Sequence, residues 1–260
     1  MNGSPMLCES ATPEEARALI AAQPGKWVIQ QKIDGVRGVI RDGKLYDRRG
    51  KDITALFPEF VGIGAMRGEY DGEIVCTSGE FGDVAGRMHV KDPFARKILV
   101  KKNPAAFMLF DVVTPGLLGE RLAVIGAMDG ALPAWMCPVK SFVCDGEMFE
   151  KMWSEVLEKG LEGVVLKSVM SPYERKRSVS WKKCKAFLET TAIFIKLEEH
   201  PRGIRLETED GRAITVNGAQ ASEVRNEFRR TGSVTCEVQY MRSPVGDSTA
   251  WRFPSYRGLT

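Results

Sequence analysis

Lys32 is followed two residues later by Asp34-Gly35 and then by Arg37, within the stretch WVIQQKIDGVR at 27–37. An amine acts as a nucleophile only when it is held in place, because a free lysine samples many orientations on its four-carbon stem. The apolar, β-branched run at Trp27, Val28, Ile29 and Ile33 predicts a strand. Asp34-Gly35 reads as a two-residue hairpin signal leading into a second strand, VRGVIRDG. Lys32 is then expected at a strand end with backbone on both sides, which suits covalent nucleophilic catalysis. For this stretch alone, a surface lysine beside a turn is the plainer reading.

Other charged residues recur at the ends of elements. Glu73 follows Asp71-Gly72 in YDGEIVC, read as a short strand after a turn, where a lone acid is ordinarily solvated. Glu162 opens and Lys167 closes the Gly-bounded apolar strand LEGVVLKS. In WKKCK, strand alternation sets Lys183 and Lys185 on one side, and Arg175, Lys176 and Arg177 precede them. A basic strand edge also resists aggregation, so this cluster has a structural reading too. Gln30 lies two positions before Lys32 and shares its side of the strand, where an amide could read a donor–acceptor edge or simply face solvent.

Taken in order, these segments resemble the covalent nucleotidyltransferase superfamily, and the ATP-dependent DNA ligases within it most closely. The resemblance rests on KIDGVR, YDRRG, DGEIV, LFDVV, EGVVLK, WKKCK and WRFPSYRGL and covers essentially the whole chain. It implies that Lys32 attacks the α-phosphate of ATP and carries AMP as a phosphoramidate. It implies nucleotide-binding roles for Gln30, Ile33, Arg37, Arg48, Glu73, Phe110, Lys183 and Lys185. Among these, Phe110 would stack on the base and the two lysines would face the phosphates. Asp47 stands where the family usually has serine beside the arginine matched by Arg48. Glu73 and Glu162 would hold a divalent metal, Mg²⁺ or Mn²⁺, and Arg252 and Arg257 would contact the β- and γ-phosphates in the first step. The implied fold class is α+β: an ATP-grasp-like nucleotidyltransferase domain over 1–188, then an OB-fold β-barrel over 189–260. The implied partner is nicked duplex DNA, sealed by a monomer of the small phage or bacterial type without a separate N-terminal DNA-binding domain. An RNA ligase or GTP-dependent capping enzyme of the same superfamily is the alternative, and a non-catalytic nucleic-acid-binding module is another.

The elements that must position these residues follow from pattern. A chain of 260 residues with 43% hydrophobic and 27% charged content is an ordinary globular one, long enough for two modest domains. Its net charge of +3 does not by itself argue for nucleic acid. Six scattered cysteines without a Cys-x-x-Cys pair, and only two histidines, argue for reduced core thiols rather than a structural zinc site. With neither a signal-peptide pattern nor a long apolar run, the expected compartment is the cytoplasm, a host's if phage-encoded.

Thr12, Pro13 and Glu15 predict a capped helix over 12–22. TALFPEFVGIGAM predicts a helix near Pro58, AAFMLFDVV a buried strand, and 145–160 an amphipathic helix capped by Asp145. The stretch 87–102 carries Arg87, Lys91, Arg96, Lys97, Lys101 and Lys102 against the single acid Asp92. It reads equally as a solvated helix face or a surface for a DNA backbone. From Glu189 onward, four or five short strands and the helix ASEVRNEFRRTG are expected.

Overall fold

The computed structural model describes residues 4–79, 81–128, 130–242 and 251–260. The chain divides into two compact units, Met1–Lys185 and Ala186–Thr260. The first opens with β1 (Leu7–Ser10) and α1 (Pro13–Ala22). Thr12 caps α1 as its sequence requires, with the Thr12 hydroxyl on the Glu15 N–H and the Glu15 carboxylate on the Thr12 N–H. Then come β2 (Trp27–Gln31), β3 (Val36–Arg41), β4 (Lys44–Asp47), β5 (Glu69–Cys76), α2 (Phe81–Arg87), α3 (Pro93–Lys102) and β6 (Ala105–Val112). The unit closes with α4 (Leu118–Ala127), β7 (Met136–Pro138), β8 (Ser141–Val143), α5 (Gly146–Glu158), β9 (Gly163–Ser168) and β10 (Arg177–Lys185). These strands build two five-stranded sheets, ordered β1-β10-β9-β2-β8 and β4-β3-β5-β6-β7.

The expected hairpin at Asp34-Gly35 does not form, because β2 and β3 belong to different sheets. The segment between them carries the chain from one sheet to the other. Gly35 permits the crossing: a Cβ there would lie 2.3 Å from the Ile74 carbonyl oxygen. Asp42-Gly43, by contrast, does close the β3–β4 hairpin, with both residues at positive φ. The strand expected over 70–76 is β5, with Asp71-Gly72 in its middle, where a Cβ on Gly72 would lie 2.4 Å from the Phe107 ring.

The predicted helix over 54–66 is two short 3₁₀ turns, Thr54–Leu56 and Ile63–Ala65. Pro58 lacks the N–H an interior helix position needs, and Gly62 adopts φ 82. Phe57 and Phe60 from this segment are nonetheless buried, stacked on each other in the core beneath the second sheet with Ile74, Phe107 and Leu109. α5 matches its prediction: Asp145 accepts from the Met148 N–H, and Phe149, Trp153 and Val156 are its buried face.

The second unit contains β11 (Leu188–Phe194), β12 (Lys196–His200), β13 (Gly203–Glu207), β14 (Ala213–Asn217), α6 (Gly218–Thr231), β15 (Val234–Arg242) and β16 (Trp251–Leu259). TAIFIKLEE, expected as one strand, is broken at Ile195 into β11 and β12, which join different sheets. The strands form two three-stranded antiparallel sheets, β11-β15-β16 and β12-β13-β14, so the expected closed β-barrel is not what the described residues build. A core of Phe194, Ile204, Leu206, Ile214, Val216, Val224, Val234 and Val238 fills the unit.

Candidate active site

Lys32 sits one residue past β2, at the point where the chain leaves the first sheet. Its N–H still donates to the Gly163 carbonyl at 2.8 Å, so the backbone is fixed as in a strand while the side chain is free of the ladder. Lys32 Nζ lies 2.5 Å from Glu162 Oε2, and Lys185 Nζ lies 2.9 Å from Glu162 Oε1. One carboxylate, 6% exposed, is thus shared by two ammonium groups. Gly163 makes that placement possible: at φ 148, a Cβ on it would lie 2.0 Å from the Cys184 carbonyl oxygen in β10. β9 can therefore pair closely with β10 and deliver Glu162 beside Lys32.

A second constellation rises from the other sheet. Arg37 on β3 grips Asp71 on β5 through Nε–Oδ1 and Nη2–Oδ2 bonds of 2.6 Å each, a bidentate pair in which Asp71 is fully buried. The Tyr173 hydroxyl donates to Asp71 Oδ2 at 2.5 Å and accepts from the Met6 N–H at 3.1 Å. Burial works against the Arg37 charge, but Asp71 outweighs it and holds the guanidinium firmly protonated. Burial, reinforced by Asp71, pushes the Tyr173 phenol upward, so it stays a donor.

The Arg37 guanidinium lies 4.5 Å from the centre of the Phe110 ring. Lys167 is 1% exposed and donates to the Phe110 carbonyl at 2.9 Å, with its ammonium 4.0 Å from the Trp181 ring centre and 4.6 Å from that of Phe110. Burial lowers its pKa to about 8. Gln30 is also buried, its Nε2 donating to Ser141 Oγ at 2.7 Å and to the Phe110 carbonyl at 3.4 Å. The solvated alternative for this glutamine is excluded.

These groups form a cleft lined by Gln30, Lys32, Ile33, Arg37, Glu73 and Phe110 from the predicted set, with Cys8, Lys167 and Trp181 in addition. Glu73 faces it from β5 with its carboxyl pushed up to about 7. Burial drives that shift; Arg37 and Lys32 oppose it, while Glu162 and Asp71 add to it. Lys183 is shifted downward, first by burial, and the cationic neighbours Lys185, Arg177 and Lys32 push the same way. Its neighbour Lys182 pairs with Glu9 at 2.7 Å.

Three predicted residues lie elsewhere. Arg48 is exposed in the turn after β4, outside the cleft lining. Asp47 builds that turn by accepting the N–H groups of Arg49 and Lys51 at 2.8 and 2.9 Å, which accounts locally for aspartate in the serine position. Arg252 and Arg257 belong to β16 of the second unit. The Arg252 guanidinium lies 5.3 Å from the Phe253 ring centre, and exposed Arg257 donates to Gln239 Oε1.

Sequence reasoning gave no site role to Asp71, Tyr173, Lys167 or Trp181. The signal for Lys167 was present, since a cation closing an otherwise apolar strand must find a buried partner.

No group of three or more His, Cys, Asp or Glu side chains placed to hold a metal occurs among the described residues. Glu73 and Glu162 nevertheless suit Mg²⁺, which is commonly held by one or two carboxylates together with substrate phosphates and water. The raised Glu73 carboxyl fits the same reading, since a nearby divalent cation would favour its ionised form.

Residues 5–185 match the family described as ATP dependent DNA ligase domain. A probable DNA ligase of Streptomyces avermitilis is 29% identical over 205 residues, covering 70% of this chain and 40% of that protein. A probable DNA ligase of a Nocardioides species is 31% identical over 212 residues, covering 75% of this chain and 40% of that protein. The chain therefore spans about two fifths of these curated relatives. A solved structure from a study of Lig E DNA ligases superposes with a TM-score of 0.73 over 100% of both chains at 19% identity, a likeness of fold. The fold shared is a mixed α/β nucleotidyltransferase-like one. No described helix is long and apolar enough to cross a membrane.

Proposed function

This chain belongs to the ATP-dependent DNA ligase domain family, and from that membership we propose that it seals 5′-phosphate/3′-hydroxyl nicks in duplex DNA at the expense of ATP. The observation that carries the reading is the Lys32–Glu162–Lys185 arrangement, with Lys32 lining the cleft. Lys32 is the nucleophile. Its amine must shed a proton before it attacks the α-phosphorus, and Glu162 Oε2 at 2.5 Å is the acceptor within hydrogen-bond reach. The N–P bond forms as the bond from the α-phosphorus to pyrophosphate breaks, leaving AMP on Lys32.

Lys185 and Lys183 offset the charge of the α-phosphate, and Arg37, held by Asp71, packs against Phe110. Phe110 stacks on the adenine while Gln30 and Ile33 line its pocket. Glu73 and Glu162 would hold Mg²⁺, which when bound supplies charge neutralisation at the phosphates. The nick's 5′-phosphate then displaces Lys32 from the AMP, and the adjacent 3′-hydroxyl displaces AMP to form the phosphodiester.

We assign adenylation to residues 1–188 and read 189–260 as an OB-type module, on its short strands, single helix and apolar core. Arg252 and Arg257 on its last strand serve the β- and γ-phosphates. A cytoplasmic location suits the six unpaired cysteines, and we read the chain as acting as a monomer.

Incubation with labelled ATP and Mg²⁺ without DNA should leave a denaturation-stable label on the protein. Lys32→Ala should abolish it, and nicked duplex should discharge it with sealing. Folded wild-type protein, free of pre-bound AMP, that takes up no label would overturn the assignment.

A further inference from the structure

The basic stretch 87–102 separates into two groups once its side chains are located. Arg87 is 1% exposed and pairs with Glu59 at 2.5 Å, its guanidinium 5.1 Å from the Phe57 ring centre. Arg96 turns inward as well, donating to the carbonyls of Val90 at 2.8 Å and Ala55 at 3.3 Å. These two arginines are structural: they pin α2 and α3 to the 3₁₀ segment beneath. Asn103 fixes the end of α3, donating to Asp83 at 2.6 Å and accepting from Thr77 and Ser78 at 2.9 Å.

What remains exposed is the other face of α3. Phe94, Lys97, Ile98 and Lys101 recur at i, i+3, i+4 and i+7, a single stripe, with Lys91 and Lys102 at its two ends. Phe94 is 70% and Ile98 51% exposed. The stretch's only acid, Asp92, is used as the N-cap of α3, accepting from the Phe94 N–H at 2.9 Å. A solvated helix face ordinarily alternates charge sign and hides its large apolar groups. This one has cations only, interleaved with two uncovered apolar side chains.

We propose that the outward face of α3 is a docking surface for the duplex flanking the nick, with Lys97 and Lys101 on backbone phosphates and Phe94 and Ile98 against the sugars between them. The partner follows from charge complementarity. Acid-free cations spaced one helical turn apart match a polyanion, and two apolar groups on a ten-residue helix are too few to anchor in lipid. The helix is rigidly based, so binding does not first have to order it. This inference rests on the DNA-sealing reading above and adds a contact outside the nucleotide cleft.

The test compares wild type with Lys97→Gln/Lys101→Gln in binding nicked duplex across a KCl series with EDTA present. Lysyl adenylation without DNA is followed in parallel. Loss of two phosphate contacts should reduce the slope of log affinity against log salt by about 2, so that the wild-type advantage shrinks about 12-fold between 50 and 200 mM salt. Adenylation should be unchanged. Phe94→Ala should weaken binding several-fold with the salt slope intact, and Lys151→Gln/Lys159→Gln, on α5 and at its C-cap, should leave both measures alone. A lysine variant with the wild-type slope overturns the surface while leaving the ligase reading intact. A wild type that neither labels from ATP nor binds nicked duplex overturns the ligase reading itself. Binding of the wild type to anionic vesicles, lost in the lysine variant while duplex binding persists, would reassign the face to lipid.

Discussion

At the residue scale, the site is governed by what burial does to individual charges. Glu73 keeps its proton up to about pH 7 in the folded chain, against 4.5 when exposed. Between those values the folded state holds a proton that the unfolded state has released. The stability associated with the neutral carboxyl is therefore complete below pH 4.5 and is lost as pH rises through 7. Glu73→Gln, neutral at every pH, should match wild type near pH 5 and exceed it at pH 8. The gain should be about 1–3 kcal/mol, a few degrees in melting temperature, measured in EDTA. The same variant should lose adenylation, because a carboxamide is a poor metal ligand. A melting difference independent of pH would show that the Glu73 carboxyl is not held neutral.

The residues that carried this site were legible because their chemistry is local: a lysine just past the end of one strand, a glutamate just before another and a glutamate following Asp-Gly within a third. Asp71 and Tyr173 were not legible. Arg37 lies 34 residues from Asp71 and Tyr173 lies 102 from it, and no local pattern announces a bidentate ion pair across two strands. Aspartate beside glycine is often a turn signal, but Asp71-Gly72 falls within the strand expected over 70–76 and is the buried middle of β5.

At the scale of elements, the two sheets of the first unit are joined around the cleft by charged side chains removed from water. Arg121 on α4 and Asp111 at the end of β6 are both fully buried and bonded at 2.8 and 3.0 Å. Arg121 Nη1 also donates to the carbonyls of Gly116 at 3.0 Å and Ser171 at 2.9 Å. One guanidinium thus ties α4 and the second sheet to the loop between β9 and β10 of the first. Arg121→Ala leaves the buried Asp111 carboxylate without its counter-ion, with only the Val112 N–H still donating to it, and should cost about 3–5 kcal/mol in urea unfolding. Arg121→Ala paired with Asp111→Ala should cost measurably less than the sum of the two single changes, as expected when removing one partner exposes the other's desolvation penalty.

Sequence foresaw the strands flanking this junction but neither α4 nor the sheet assignment of β2 and β3. The Asp34-Gly35 signal specifies a sharp change of direction. Whether the chain turns back onto its own strand or passes to another sheet is decided by packing against Ile74, which no hairpin rule contains. In the 54–66 segment the apolar spacing suggested a helix, yet Pro58 and Gly62 broke the hydrogen-bond ladder while Phe57 and Phe60 kept their core positions. The helix expected there is not the conformation found.

At the scale of the whole molecule, the proposed chemistry divides between two units that fold around separate cores, with the cleft entirely in the first and both predicted phosphate-binding arginines in the second. That division has a kinetic consequence. Arg257 is exposed on β16 and donates to Gln239 in the neighbouring strand. Contacts to β- and γ-phosphates can matter only while pyrophosphate is still attached, because both phosphates have left once AMP is on Lys32. Arg257→Ala should therefore slow lysyl adenylation by about 10²-fold, within the range for removing one preorganised charge contact. The same variant should seal a nick that already carries a 5′-adenylate at close to the wild-type rate, since that step begins after pyrophosphate has gone. Rapid-quench measurement of both steps on one preparation separates the outcomes. Equal slowing of the two would place Arg257 in DNA contact or in the integrity of the second unit. An unaffected first step would remove it from the phosphate site altogether.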